Sequence, residues 1–262
     1  MKISITVDVE KDIGLYDSYY GLDDGLPEIL RLFRRYGVAA TFFVSGEIFS
    51  YKPAAGLISE ALNDNHEIAS HGYTHTDYRG WPSDKINDEL NRSKKIIGDI
   101  FNIDVKGFRA PQFLINEAVI HAAAACGFLY DSSLPDTTGI SAARHLRRVQ
   151  GNDALLDAIK QSGLMEFQID SIPKLRVPHG LLWVNHLSLR LYKVLWRHMK
   201  QDRAMFYLHP FDLAKDKGRL RLDLKRKIFY LPHGNRVAWL LEALLDFWKS
   251  EGVSFVRLQD EL

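Results

Sequence analysis

Acidic and imidazole side chains occur in this sequence at spacings that suit a metal ion. Asp8 and Glu10 lie two residues apart in the run Thr6-Val7-Asp8-Val9-Glu10, which has the alternating pattern of a β-strand. Both carboxylates point to the same side of such a strand, where they repel each other unless a cation or a proton lies between them. His71 and His75 supply two imidazoles four residues apart. Together these groups predict a metal site with a spare carboxylate beside it, as metal-assisted hydrolysis requires.

Two imidazoles and one carboxylate with an open coordination position are a common arrangement for catalytic zinc. His71 and His75 are the predicted imidazole ligands, and either Glu10 or Asp8 is the third ligand. The carboxylate that does not bind the ion would be free to accept a proton from water. The expected cofactor is Zn²⁺, with Co²⁺, Ni²⁺ and Fe²⁺ as alternatives.

Polar residues also follow other predicted strands. Short β-type runs alternate with helical patterns along the whole chain, which predicts a parallel α/β architecture. In such folds the C-terminal ends of the strands form the edge where active sites lie. We expect one site there, built from the residues at or just beyond these ends: Asp8, Glu10, His71, Arg109, Asp131 and His209.

The predicted elements cover most of the chain. After the first strand, the patterns predict strands at 38–44, 66–70, 106–108, 128–130, 166–169, 204–208 and 253–256. Helical periodicity predicts helices near 26–36, 52–63, 83–101, 116–126, 187–199 and 235–249. Residues 134–163 have no regular pattern and are expected to form an excursion from the barrel. No linker divides the chain, so we expect a single domain.

Composition excludes some classes of protein. The chain has 262 residues, with 34 lysines and arginines against 33 aspartates and glutamates, for a formal net charge of +1. This balance argues against nucleic acid as the main partner. No apolar run reaches the roughly 18 residues that a membrane span needs, and no leader pattern precedes the first strand. We therefore expect a soluble, cytoplasmic protein without a transmembrane segment.

Five short segments with polar residues extend over about four-fifths of the chain: Thr6–Glu10, His71–His75, Phe108–Pro111, Tyr130–Ser133 and Tyr207–Pro210. In this order they resemble the five characteristic motifs of the polysaccharide deacetylases of the NodB-homology type, carbohydrate esterase family four. The resemblance implies a distorted (β/α)7 barrel over residues 1–262. It also implies a metal-dependent amide hydrolase that removes N-acetyl groups from an N-acetylated sugar or glycan.

By position, the resemblance assigns Asp8 as the general base and His71 and His75 as metal ligands. The commonest family pattern has two adjacent aspartates followed by glycine, whereas this chain has Val9 at the second position. The next acid is Glu10, which the resemblance therefore implies as the third ligand.

The remaining motifs imply the rest of a mechanism. Arg109 would orient Asp8, and His209 would be the general acid, with Asp131 setting its charge state. A tetrahedral oxyanion needs hydrogen-bond donors, and a backbone N–H near Pro111-Gln112 would be one of them.

Two other functions fit the same barrel. One is hydrolysis of non-sugar amides such as cyclic ureides or imides, and the other is a catalytically silent glycan-binding barrel. The sequence also has two softer features. The first is a basic stretch at 215–227, which we interpret either as a solvated face or as a patch for an anionic glycan or a lipid phosphate. Four aromatic residues are candidate sugar-stacking platforms: Trp183, Tyr192, Trp196 and Phe211.

Overall fold

Parallel strands form a curled half-barrel at the centre of this computed structural model. The structure describes residues 1–13, 17–135, 152–172, 175, 177–199, 202–215, 222–224, 227 and 236–262. The strands are β1 (Lys2–Val9), β2 (Ala40–Val44), β3 (Glu67–Ser70), β4 (Gly107–Phe108), β5 (Tyr130–Asp131), β6 (Met165–Glu166), β7 (Arg203–Leu208) and β8 (Ser254–Phe255). Their order is β6-β5-β4-β3-β2-β1-β7, and β8 pairs with the start of β1. The predicted distorted (β/α)7 barrel is confirmed.

Eight helices lie in the described part of the chain and connect or cover these strands. They are α1 (Leu26–Tyr36), α2 (Ala54–Asn63), α3 (Ser83–Phe101), α4 (Glu117–Ala125), α5 (Asn152–Ser162), α6 (Leu181–Asn185), α7 (Leu189–Trp196) and α8 (Arg236–Ser250). A π-helical turn spans Gly21–Gly25, and short 3-10 turns span Gly46–Ser50, Pro111–Phe113, Pro210–Leu213 and Leu258–Glu261. None of the described helices combines the length and apolar composition needed to cross a bilayer.

Local sequence explains several helix ends. Pro27 lies in the first turn of α1, where its missing N–H costs nothing, and Gly37 ends the helix with a φ of 61°. Asn116 caps α4, because its side chain accepts a hydrogen bond from Val119 N at 3.0 Å. These ends were predictable from residue type alone.

The alternation of side chains along the strands separates two cores. On β1 the residues Ile3, Ile5, Val7 and Val9 all pack into the larger cluster, which lies between the sheet and the helices. On β2 and β7 the alternate residues Phe43, Met205 and Tyr207 join a smaller cluster inside the barrel. Because Asp8 has the opposite parity to Val7, its carboxylate belongs to the interior side.

Two predicted boundaries were wrong. The interval 134–163 was expected to be irregular, but it contains α5, whose Leu155 and Ile159 are buried at helical spacing. Residues 136–151 of the same interval lie outside the described residues. The strand expected at 166–169 is only β6, while Ile169 makes an isolated bridge with Pro135.

The softer features need correction as well. Tyr192, Trp196 and Phe211 are each at most 3% exposed, so they are core residues rather than stacking platforms. Trp183 is half-buried and donates from Nε1 to the hydroxyl of Tyr207 at 3.1 Å. Most of the basic stretch at 215–227 lies outside the described residues.

Candidate active site

The strand ends bring the predicted residues to one edge of the barrel. Asp8 and Asp131 lie at the ends of β1 and β5. Four further predicted site residues directly follow their strands: Glu10 after β1, His71 after β3, Arg109 after β4 and His209 after β7. Parallel strands end at the same edge, so the topology alone makes these residues neighbours.

Glu10, His71 and His75 form a compact ligand group. One donor atom from each residue lies within 4.8 Å of the other two. Oε2 of Glu10 is 3.5 Å from Nε2 of His71 and contacts Nε2 of His75. Of the two acids that the sequence left open, the structure therefore groups Glu10 with the histidines.

The surroundings of this group fit a divalent ion. Nδ1 of His71 lies 2.8 Å from Arg109 O, and a carbonyl can only accept. Nδ1 therefore carries the proton, and the Nε2 lone pair of His71 is free for a metal. Oε2 of Glu10 is buried and makes no well-directed hydrogen bond with a described residue. A buried oxygen of this kind, facing two imidazole nitrogens, fits a shared cation.

The charges within the group favour the carboxylate form of Glu10. Burial opposes ionisation, but the nearby His75 and His71 outweigh it and lower the pKa of Glu10 well below its ordinary value. Burial likewise works against the cationic form of His75, yet the charge of Glu10 raises the pKa of that imidazole. The carboxylate is thus ready to bind a cation at neutral pH.

Arg109 holds Asp8. Nη1 of Arg109 donates to Oδ1 of Asp8 at 2.6 Å and to Oγ1 of Thr6 at 2.8 Å. The guanidinium is completely buried, and the side chain of Asp8 is only 2% exposed. The guanidinium of Arg109 also lies over the ring of Phe43, with Cζ 4.1 Å from the ring centroid. Oδ2 of Asp8 remains available on the side of the site.

Ser132 fixes the other edge of the guanidinium. Nε of Arg109 donates to Ser132 O at 2.9 Å, and Nη2 donates to Oγ of Ser132 at 2.8 Å. That hydroxyl in turn donates to Phe167 O at 2.8 Å. The fork geometry of arginine is used on both sides, so a lysine would not replace it.

His209 completes the site beside Asp8. Its Nε2 is 3.9 Å from Oδ2 of Asp8, and its ring stacks on Phe211 with centroids 4.5 Å apart. Burial disfavours the charged imidazole, but Asp212 and the more distant Glu10 raise the pKa of His209 to about 9. His209 is therefore a cation at neutral pH, as a general acid must be.

The carboxylate that faces Nδ1 of His209 is that of Asp212, not that of Asp131. Oδ2 of Asp212 lies 3.4 Å from Nδ1 of His209 and accepts from its backbone N–H at 2.9 Å. The prediction that Asp131 sets the charge state of His209 was wrong on this point. Asp212 lies three positions after His209 in the same 3-10 turn and reaches the imidazole, whereas Asp131 accepts a hydrogen bond from Ser133 N in its own loop.

Asp131 instead belongs to a buried carboxyl pair. It accepts from N and Oγ of Ser133, at 2.9 and 2.8 Å, and it is the register partner of Glu166 on β6. Oε1 of Glu166 accepts from Leu134 N at 3.1 Å. Burial raises the pKa of both carboxyls, and the neighbouring Asp131 raises that of Glu166 further, well above its ordinary value. The pair therefore anchors the loop that contains Ser132.

The segment Pro111-Gln112 borders the site in an unusual backbone conformation. Gln112 and Phe113 have φ values of 56° and 59°, although neither is glycine. Left-handed backbone at non-glycine residues costs about 1–3 kcal/mol each and is concentrated at functional sites. Gln112 lines a cavity of about 680 Å³ that also contacts Glu10, Asp12, Glu47, Thr74 and His75.

Sequence reasoning missed four residues of this site: Glu47, Ser132, Glu166 and Asp212. Ser132 and Asp212 lie next to assigned motif residues, and the spacing His-Pro-x-Asp is a capping signal that could have identified Asp212. Glu47 and Glu166 carry no comparable local signal, because their partners are distant in sequence.

Comparisons with known proteins agree with this geometry. Residues 3–130 match the family model described as polysaccharide deacetylase. A peptidoglycan deacetylase of Helicobacter pylori is 27% identical over 146 residues, which are 50% of this chain and 49% of that protein. This chain spans about half or less of the length of the first curated relatives it matches.

Solved structures share the fold. A cobalt complex of a family 4 acetyl xylan esterase from Clostridium thermocellum has a TM-score of 0.59 and 15% identity, covering 99% of this chain and 89% of that one. A mutant of the Bacillus anthracis pseudoenzyme BA3943 with restored activity also has a TM-score of 0.59, at 14% identity, covering 99% and 66%. The family model matched over residues 3–130, the relative named peptidoglycan deacetylase and the fold shared with family 4 carbohydrate esterases agree with the resemblance of the five motifs to the polysaccharide deacetylase family.

Proposed function

We propose that this protein is a metal-dependent hydrolase that removes N-acetyl groups from an N-acetylated sugar or glycan. The observation that carries the proposal is the meeting of three groups at one edge of the barrel. A ligand group of Glu10, His71 and His75 lies beside an arginine-bound Asp8, and the cationic His209 stands 3.9 Å from that carboxylate. Groups suited to act as the base, the acid and the ligands of one ion thus lie together, which supports the proposal.

Glu10, His71 and His75 would hold the ion, and Zn²⁺ suits this ligand set best. When bound there, a divalent ion supplies Lewis-acid polarisation of the amide carbonyl and makes coordinated water more acidic. His71 is already oriented for this role by its hydrogen bond to Arg109 O at 2.8 Å.

Asp8 would accept the proton of the attacking water. Its Oδ1 is occupied by Arg109, which leaves Oδ2 as the basic oxygen. The buried guanidinium fixes the direction of the Asp8 side chain. A general base of this kind contributes about 10²–10⁴ to the rate.

His209 would protonate the departing amine. The imidazolium is stabilised by Asp212 and stacked on Phe211, so both its charge and its orientation are set before the substrate binds. The backbone near Pro111-Gln112 would contribute a donor to the developing oxyanion.

The substrate class rests on the relatives. Two of them are named peptidoglycan deacetylase and peptidoglycan-N-acetylglucosamine deacetylase, which supports an N-acetyl sugar as the group acted on. Within this class the carrier, the cytoplasmic location and the identity of the ion stay predictions.

Acetate release from a panel of N-acetyl sugars and glycans, with and without a chelator, tests the proposal. We expect release that stops with chelator and returns with Zn²⁺ or Co²⁺, and that falls by about 10²–10⁴ in Asp8→Asn. Allantoin-like and imide substrates form a second arm of the panel. Activity on that arm alone would favour the non-sugar amidase. Metal binding without turnover on either arm would indicate a silent barrel.

A further inference from the structure

Glu47 joins the two chain segments that contain metal ligands. It belongs to the 3-10 turn that follows β2. Its Oε1 accepts from the backbone N–H of His75 at 3.1 Å, and its Oε2 lies 2.9 Å from Nζ of Lys11. His75 is a ligand in the proposed site, and Lys11 directly follows the ligand Glu10. One carboxylate therefore bridges the strand end and the histidine loop.

The backbone of the same turn docks the rest of the histidine loop. Gly46 N donates to Gly72 O at 2.9 Å, and Glu47 N donates to Tyr73 O at 2.8 Å. Oγ of Ser45 also donates to Tyr73 O, at 3.1 Å. These bonds fix residues 72 and 73, and the Glu47 side chain extends the same attachment to His75.

The bridge is partly shielded from water. The side chains of Glu47 and Lys11 are 18% and 24% exposed, so their attraction is screened less than that of an ordinary surface pair. Lys11 has a second partner in Asp17, at 2.9 Å, but that carboxylate is 78% exposed. Glu47 is thus the partner that connects Lys11 to the protein interior.

We propose that Glu47 is a positioning residue of the metal centre, which holds His75 and the Glu10 segment at the separation that a divalent ion requires. The inference rests on the metal site of the proposed function. Groups that orient metal ligands from outside the coordination sphere typically change metal affinity by about 10–100-fold when removed. Glu47 acts through His75 and Lys11, and it does not replace any of the three ligands.

Metal affinity measured directly tests this role without an assay of activity. Co²⁺ binding is followed by visible absorption, and the Zn²⁺ dissociation constant is obtained by competition with a chromogenic chelator, both on the full chain. We expect Glu47→Ala to weaken Zn²⁺ binding by about 10–100-fold and to alter the Co²⁺ absorption spectrum. Without metal, Glu47→Ala should unfold at the same urea concentration as the unaltered protein.

Two variants separate the two contacts of Glu47. Glu47→Gln keeps an oxygen acceptor for His75 N–H, so we expect it to recover most of the affinity lost in the alanine variant. Lys11→Ala keeps the hydrogen bond from His75 N–H to Glu47 and removes the link to the Glu10 segment, together with the exposed pair with Asp17, so it should weaken binding less than Glu47→Ala. Lys11→Ala combined with Glu47→Ala should bind no more weakly than Glu47→Ala, because the bridge is already lost. Glu60→Ala, at a surface ion pair with Arg34, is the matched control and should bind as the unaltered protein does.

The outcomes distinguish this inference from the proposed function. If the unaltered protein binds no divalent ion, the metal site and the proposed function fail together. If it binds Zn²⁺ and Glu47→Ala binds equally well, only the positioning role is overturned. If Glu47→Gln loses as much metal affinity as Glu47→Ala, the loss is not caused by removal of the hydrogen bond from His75 N–H. If the alanine variant does not fold, Lys11→Ala decides the question: weaker Zn²⁺ binding supports the bridge through Glu47, and unaltered binding overturns it.

Discussion

Nη1 of Arg109 donates to Oδ1 of Asp8 at 2.6 Å, and both side chains are almost completely excluded from water. The two residues are 101 positions apart in the chain and meet only because β1 and β4 end at the same edge. Such a buried pair adds little net stability compared with apolar residues, but removal of one partner leaves an uncompensated charge. The pair therefore serves orientation of Asp8 more than stability of the fold.

Arg109→Ala should destabilise the protein by about 3–5 kcal/mol, because it leaves the Asp8 carboxylate buried without its cation. Asp8→Asn added to this variant removes that charge, so we expect the double variant to be more stable than Arg109→Ala alone. Urea unfolding at pH 7 measures both. Arg257→Ala, at a more exposed pair with Asp260, is the control and should cost about 1 kcal/mol or less. A double variant less stable than Arg109→Ala would show that the charge is not the cause.

Asp212→Asn should move the alkaline limb of the activity profile to lower pH. Asp212 is the principal group that raises the pKa of His209 to about 9 against burial, and only the protonated imidazole can act as the acid. The profile of kcat/KM against pH measures this limb. Asp99→Asn, at an exposed pair with Lys95, should leave it in place. An unchanged limb in Asp212→Asn would remove Asp212 from the account of His209.

The same pKa shift of His209 has a consequence for stability. The pKa of His209 in the folded protein lies above its ordinary value of 6.5, so protonated His209 stabilises the fold. Its contribution to the unfolding free energy is complete below pH 6.5 and is lost as the pH rises through about 9. The difference in unfolding free energy between the unaltered protein and Asp212→Asn should therefore shrink over that interval.

Glu166→Gln should flatten the decline of stability with rising pH. Burial and the adjacent Asp131 raise the pKa of Glu166 well above 4.5, so the folded protein keeps a proton that the unfolded chain releases. Above pH 4.5 the unfolding free energy therefore falls by up to about 1.4 kcal/mol per pH unit for this one proton. Urea unfolding at several pH values from 5 upward checks the difference. Glu60→Gln, on the surface, should follow the unaltered protein, and a parallel curve for Glu166→Gln would mean that Glu166 ionises normally.

Gly25→Ala should disturb the turn that carries His209. A Cβ at Gly25 would overlap the carbonyl oxygen of Pro210, which is backbone and cannot swing aside. We expect a loss of about 1–3 kcal/mol in unfolding free energy and a lower kcat. Gly56→Ala is the opposite control, because Gly56 lies in α2 with open space around its Cα. For Gly56→Ala we expect the unfolding free energy to rise by up to about 1 kcal/mol. Wild-type activity and stability in Gly25→Ala would contradict this packing.

Most of the site could be predicted from sequence where strand alternation or strand ends decide it. Asp8, Glu10, His71, Arg109 and His209 each follow from one rule, that parallel strands present their C-terminal ends at a common edge. The extent of β6 was harder to predict, because a strand of two residues is too short to show a periodic pattern. The helix α5 was missed although Leu155 and Ile159 recur in it at helical spacing.

The chain's own residue order thus determined the barrel, the strand-end site and the candidate ligands, because periodicity and motif spacing are local properties. The partner of each ionisable group was decided only by the tertiary structure. Glu10 rather than Asp8 groups with the histidines, Asp212 rather than Asp131 stands beside His209, and Glu47 reaches His75. These choices depend on distances of a few ångströms between side chains, which strand ends and turns set in space and which no spacing along the sequence encodes.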